Sequence, residues 1–200
     1  RRWVGRARVG DPPARRRAGC PPSRNKGFRV DNPSIGHRPS EVLDTLKRLN
    51  FQVAVSVPES WLGGVLEEME RDPDILLIRA SHEEEALAIA CGARLTGKRT
   101  VLLIQNVGLL TMGAGMVSLA QRYEFPILVL CSYRGSTRDP IVYHIPKGRV
   151  TEPVVQGFGV RYALAEPGEP IGPQVERAAL NAEEASVPFV LLLAKEDISW

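Results

Sequence analysis

From Pro39 onward the sequence alternates short apolar runs with stretches of helical periodicity, and the apolar runs leave no room for a solvated face. "TVLLIQN", "PILVLCS" and "PFVLLLA" are hydrophobic at consecutive residues rather than at every second one. A strand of that kind is buried on both sides, as in a parallel sheet whose crossover helices cover both faces. Between the runs the period changes: in "EVLDTLKRLN" Val42, Leu43, Leu46 and Leu49 fall on one helical face, with Ser40 placed to cap it. The expected order continues with strand "FQVAVSVP", helix "ESWLGGVLEEMERD", strand "DILLIRA", helix "HEEEALAIACGARLTG", strand "TVLLIQN", helix "GAGMVSLAQRYEF" and strand "PILVLCS". An irregular stretch from Tyr133 to about Thr151, helix "PQVERAALNAEEAS" and strand "PFVLLLA" complete it. The expected fold is an α/β, doubly wound, mainly parallel sheet with helices on both faces, whose ligand belongs beyond the carboxyl ends of the strands.

The same pattern divides the chain into residues 39–200, the domain, and residues 1–38, which lack it. The formal charge of +3 conceals a split between them. Residues 1–38 carry eleven Lys and Arg against two Asp, or +9, whereas the remainder carries fifteen against twenty-one acidic residues, or −6. A segment rich in Arg, Pro and Gly without apolar periodicity is expected to be disordered. It reads as a dispensable extension, from an upstream start or a fragment because the chain opens with Arg, or as a targeting peptide or polyanion-binding arm. The longest apolar run, "VPFVLLLA", falls far short of the roughly 20 residues that span a bilayer. Cys20, Cys91 and Cys131 are widely spaced and form no CxxC, which points away from a disulfide framework or a zinc site and toward a reducing, cytoplasmic setting.

Polar residues collect at the strand ends, in "VPES", "RASHEEE", "QNVGLL" and "CSYRGSTRD". Neither "GAGMVS" nor "GFGVRY" completes a dinucleotide fingerprint and no P-loop is present, which disfavours a nucleotide-binding dehydrogenase. The triplet Glu83, Glu84 and Glu85 has two readings. Acidic residues in a first helical turn complement the helix dipole, or one carboxylate performs chemistry from the strand end. Ala86, Ala90, Ala93 and Gly97 form a small-residue stripe at helical spacing, suited either to a seam between subunits or to a tight contact inside the monomer.

The series "VPESWLGGVLEEM", "HEEEALAIACGARLTGKRTVLLIQNVGLL", "YEFPILVLCSYRG" and "HIPKGRVTE" resembles the pyrimidine-binding domain of thiamine-diphosphate-dependent decarboxylases of the sulfopyruvate and phosphonopyruvate type, over residues 40 to 198. In that family a glutamate lies nine residues ahead of the glycine of an xGA or xGY helix segment, a spacing that selects Glu83 with Gly92. The resemblance implies that Glu83 is catalytic, hydrogen-bonding N1′ of the cofactor's aminopyrimidine, with Ala86, Leu87 and Ala90 supplying apolar surroundings that raise its pKa. It implies cofactor contacts from Pro58 and Ser60 after the first strand, and from Gln105, Asn106 and Gly108 in a segment the family often writes QNSGLGN. Val107, Leu110 and Thr111 depart from that segment. His144, four residues ahead of Gly148-Arg149, is implied as a proton donor or anion contact, with a solvated loop histidine as the alternative. Arg134 and Arg138 suit a second anionic group, because a guanidinium pairs in a fork with sulfonate or phosphonate oxygens.

The chain contains no GDG segment, the family's mark of the diphosphate and magnesium site. The resemblance therefore implies thiamine diphosphate and Mg2+ held mainly by a GDG-containing beta subunit, with no metal ligand in this chain. The implied assembly is a hetero-oligomer with homodimeric contacts allowed, converting an anionic 2-keto acid to an aldehyde and CO2. A non-catalytic interaction subunit that retains the fold is the alternative, and nucleic-acid binding by the basic segment is a third reading.

Overall fold

The computed structural model describes residues 38–198, so the expectations placed on the basic segment lie outside the described residues. Helix α1 (Arg38–Arg48) leads into strand β1 (Phe51–Ser56), then α2 (Gly63–Arg71), β2 (Leu76–Arg79), α3 (Glu83–Leu95) and β3 (Arg99–Gln105). Next come α4 (Asn106–Thr111), the single turn α5 (Gly113–Gly115), a π-helical turn (Met116–Gln121) and β4 (Leu128–Ser132). A 3-10 turn (Val142–His144), α6 (Ile145–Gly157), β5 (Arg161–Leu164), α7 (Ile171–Ala185), β6 (Phe189–Leu193) and α8 (Lys195–Ile198) finish the domain. The six strands are all parallel in the order β2-β1-β3-β4-β6-β5.

The continuous apolar runs have a direct cause. Every residue of β4 and β6 is buried, and neighbouring residues of one strand enter different cores. Val101 and Leu103 pack with Val42, Leu46, Met69 and Val175 from α1, α2 and α7. Leu102 and Ile104 pack with Leu87, Ala90, Met112 and Met116 on the opposite face. The sheet is thus a partition between two apolar layers, and burial of a Leu or Ile side chain in either layer stabilises the fold by about 1.5–3 kcal/mol.

Several local expectations differ from the structure. The first helix begins at Arg38, so Ser40 lies inside its first turn, where Pro39 is tolerated because first-turn amides have no intrahelical partner. The second helix begins at Gly63 rather than at Glu59, because the Glu59 carboxylate accepts the amide hydrogens of Trp61 and Leu62 at 2.8 and 3.1 Å and holds that segment as a turn. "QNVGLL" is helical directly after the strand. The stretch foreseen as irregular is helical from Ile145: Pro146 sits in the first turn, and the interior Pro153 is carried within the helix. The edge strand β5 went unforeseen because "RYAL" is only four residues long and half solvated.

The small-residue stripe resolves toward the monomer interior. Ala86 and Ala90 are fully buried in the α3 face of the core, and Gly97 lies beyond the end of α3 with φ of 78°, a left-handed conformation that terminates the helix. Ala90 therefore does not lie in a seam. The variant Ala90→Leu is expected to overpack this layer and destabilise the isolated chain by about 1–3 kcal/mol, measured as a lower denaturant midpoint with the m-value unchanged.

Candidate active site

The strand order reverses between β1 and β3: the chain runs outward from β1 to β2, then returns to β3 and proceeds the other way. Loops leaving adjacent strands at such a point diverge to opposite faces and leave a crevice at the carboxyl ends. A cavity of about 300 Å³ occupies it, lined by Val57, Pro58, Glu59, Ser60, Glu83, Gln105 and Arg134. These residues follow β1, open α3 after β2, end β3 and follow β4. Of the residues expected at a site, Pro58, Ser60, Glu83, Gln105 and Arg134 line this cavity. Asn106, Gly108, His144 and Arg138 do not. A larger groove of about 680 Å³ runs along the edge strand β2. Its three carboxylates are already paired, Glu70 with Arg79 and both Asp72 and Asp74 with Lys47.

The glutamate triplet divides by position on the helix. Glu85 reaches back to accept the Ser81 amide hydrogen at 2.7 Å while the His82 ring accepts the Glu85 amide hydrogen at 3.2 Å, so this pair caps α3. The Ser81 amide keeps the Glu85 carboxyl below its ordinary pKa. Glu84 is exposed. Glu83 lines the cavity, half-buried, and its Oε2 accepts a hydrogen bond from Thr111 Oγ1 at 3.3 Å. Its Oε1 has no partner among the described residues. Gly108 in α4 lies so close that a Cβ there would overlap the Glu83 side chain and approach Oε1 to 2.7 Å. Gly108 thus contributes space rather than a contact.

The opposite wall is an ion pair that the sequence did not disclose. Glu59 is buried, and its Oε1 accepts hydrogen bonds from Arg134 Nε, at 2.9 Å, and from Arg134 Nη2. Nη2 also donates to Ser60 Oγ at 2.7 Å, and the guanidinium lies over the Trp61 ring at 4.9 Å. With Oε2 accepting two backbone amides, the Glu59 carboxyl group receives four hydrogen bonds. Cys131, beneath the site in β4, registers both walls. Burial pushes its thiol well above the usual value, and the charges of Glu59 and Glu83 add to the shift, so this cysteine is inert as a nucleophile.

Behind Arg134, the loop from β4 to α6 is fixed at its ends. Asn106 is buried and donates through Nδ2 to the Arg134 carbonyl at 2.8 Å and to Thr151 Oγ1 at 2.7 Å, tying α4 to this loop and to α6. Arg138 pairs bidentately with Asp197 at 2.8 Å through both nitrogens and also meets Glu196, so it is committed to α8. His144 is buried, which removes the solvated alternative. Its Nδ1 lies 2.6 Å from Asp139 Oδ2, its ring meets Trp61 edge-on at 6.1 Å, and its Nε2 has no partner. Burial opposes ionisation of Asp139, yet the Gly135 and Ile141 amides and the His144 ring together hold its carboxyl below the ordinary value. His144 therefore backs Trp61 from outside the cavity. Glu59, Trp61 and Asp139 escaped the sequence reading; the only signal was an acidic residue between proline and tryptophan in "VPESW".

The loop closes where Gly135 and Gly148 meet backbone to backbone: a Cβ on either would overlap main-chain atoms across the contact, and Gly135 has φ of 81°. The variant Gly148→Ala is expected to cost about 3 kcal/mol or more, the upper range for single substitutions, read as a lower denaturant midpoint. The exposed Gly157→Ala, where a Cβ would meet nothing, should be neutral or slightly stabilising.

Comparison with known proteins adds to this geometry. The family model described as thiamine pyrophosphate enzyme, N-terminal TPP binding domain, matches residues 40–152. The sulfopyruvate decarboxylase subunit alpha of Methanocaldococcus jannaschii is 37% identical over 111 residues, covering 56% of this chain and 66% of that protein. That of Methanothermobacter thermautotrophicus is 34% identical over 131 residues, covering 64% of this chain and 79% of that protein. Among solved structures, benzoylformate decarboxylase from Polynucleobacter necessarius superposes with a TM-score of 0.62 at 18% identity over 82% of this chain and 30% of that one, a likeness of fold. Matched over residues 40–152, the chain belongs to the thiamine pyrophosphate enzyme family through its N-terminal TPP binding domain.

Proposed function

We propose that the chain is the pyrimidine-binding alpha subunit of a thiamine-diphosphate-dependent decarboxylase acting on sulfopyruvate or a related anionic 2-keto acid. The observation that carries this reading is the placement of Glu83: a half-buried acidic side chain lining the cavity, with Oε1 unpartnered among the described residues and Gly108 leaving room for it. Thiamine diphosphate, when bound, supplies the carbon nucleophile and electron sink that release of CO2 from a 2-keto acid requires. Glu83 Oε1 would share a proton with the pyrimidine N1′, while Thr111 steadies Oε2. Pro58, Ser60 and Gln105 would bound the ring, and Gly108 would act through the room it leaves. His144 is buried against Trp61 and does not line the cavity, so a part in proton transfer would need a rearrangement there.

Among the described residues no group of three or more His, Cys, Asp or Glu is placed to hold a metal ion. With no GDG segment in this sequence, Mg2+ and the diphosphate would be held by a GDG-containing beta subunit, in a hetero-oligomer that also covers the Glu83 side of the cavity. No helix among the described residues is long and apolar enough to cross a membrane. Cys91 and Cys131 are free and buried, in keeping with a cytoplasmic, reducing setting.

Two measurements test the reading. In the assembled enzyme, Glu83→Gln should lower decarboxylation by about 100-fold or more, the scale of a lost acid-base group, whereas Glu84→Gln should remain within a few-fold of the parent. Equal activity of the two variants would remove Glu83 from the chemistry. Titration calorimetry should find weak, magnesium-independent binding of thiamine diphosphate to the chain alone, and tight, magnesium-dependent binding once the beta subunit is added, because the metal's oxygen ligands come from phosphate and partner together. Tight binding to the lone chain would contradict the divided site.

A further inference from the structure

Among the described residues Arg134 is the one cation lining the cavity, and several contacts immobilise it. Nε and Nη2 are both bound to Glu59 Oε1, Nη2 also to Ser60, the guanidinium plane rests over Trp61, and the backbone carbonyl is held by Asn106. Trp61 is in turn backed by His144, whose orientation is fixed by Asp139. A buried guanidinium–carboxylate pair is weak as a source of stability, since desolvating both ions offsets most of their attraction. What this arrangement provides instead is direction. Two of the three guanidinium nitrogens are occupied, and Nη1 has no hydrogen-bond partner among the described residues.

The pairing also sets the local charge. Arg134 is paired with Glu59, and Glu83 adds a second acidic side chain to the lining, so the cavity has no excess of cationic groups to attract anions in general. A ligand with a single anionic group held elsewhere gains nothing from this wall. A ligand that can place a sulfonate or similar oxyanion against Nη1 gains a charge-assisted hydrogen bond from a donor already frozen in position. Arg138, also on the loop, is committed through Nη1 and Nη2 to Asp197, Glu196 and the Ala165 carbonyl and does not line the cavity.

We propose that Arg134 is the specificity-determining residue for the second anionic group of the substrate, donating through Nη1, and that Glu59 is the positioning residue that aims it. This deepens, and rests on, the reading of the protein as a decarboxylase of anionic 2-keto acids. Discrimination arises from the orientation of one N–H rather than from a positive field, so a lysine, which lacks the fork, does not replace it.

The test compares sulfopyruvate with pyruvate, which lacks the sulfonate, in two assays. In the full chain with its beta subunit, Arg134→Lys should reduce the ratio of kcat/KM for sulfopyruvate over pyruvate by about 10- to 100-fold, the range of one charge-assisted hydrogen bond, chiefly through KM for sulfopyruvate. The double variant Glu59→Gln/Arg134→Gln, which leaves no unpaired buried carboxylate, should do the same, and Glu59→Gln alone should raise KM for sulfopyruvate more than for pyruvate. In the full chain by itself, the 15N resonances of the Arg134 guanidinium should shift on addition of sulfopyruvate and not of pyruvate. An unchanged substrate ratio, or equal losses on both substrates, would overturn the proposal. If the parent assembly decarboxylates neither acid, the enzymatic reading falls, and the resonance assay decides the recognition claim by itself: a sulfopyruvate-specific shift upholds it and none refutes it.

Discussion

Covering a parallel sheet on both faces forces its polar chemistry to one place. With β3, β4 and β6 sealed between two apolar layers, no side chain on their central residues can meet water, and functional groups are confined to the ends of the strands. The reversal of strand order between β1 and β3 then selects one position along that edge. Glu59, Glu83, Gln105 and Arg134 come from four separate segments of the sequence, yet the geometry of the sheet leaves them hardly anywhere else to converge.

The two walls of the cavity are built on opposite principles. Arg134 and Glu59 satisfy each other and are tied down by neighbours on every side, so that wall is finished within this chain. Glu83 is unfinished: one oxygen is steadied by Thr111, and the other, beside Gly108, has no hydrogen-bond partner among the described residues. In the proposed function Glu83 would share a proton with a ring nitrogen of the cofactor, a partner from outside the fold. Its half-buried state in the lone chain is what a site shared with another molecule would leave behind.

How much of this was legible in the sequence follows from which physical signals are local. The buried strands announced themselves because double-sided burial writes itself into consecutive residues, as in "TVLLIQN" and "PILVLCS". Glu83 could be picked from its triplet only by its distance from Gly92, since helix-start acids look alike in composition. Glu59 was not legible: its purpose depends on Arg134, 75 residues away, and its two backbone acceptor bonds mimic an ordinary helix entry. Helix α6 was hidden by Pro146, Gly148 and Pro153, each a breaker in isolation and each accommodated by tertiary context. The alanine stripe misled for a related reason, because small residues mark close approach without saying whether sheet or neighbour is the approaching surface.

The contact between Gly135 and Gly148 draws the β4–α6 loop closed at its neck, as a cord closes a bag. Backbone touches backbone there, and within the loop Arg138 and His144 reach back to α8 and Trp61. Between these anchors the exposed side chains of Val142 and Tyr143 face solvent, while the neck holds Arg134 in register. A chain organised this way can diversify the surface it turns toward other molecules by editing one short insert, leaving untouched the core that took most of its sequence to specify.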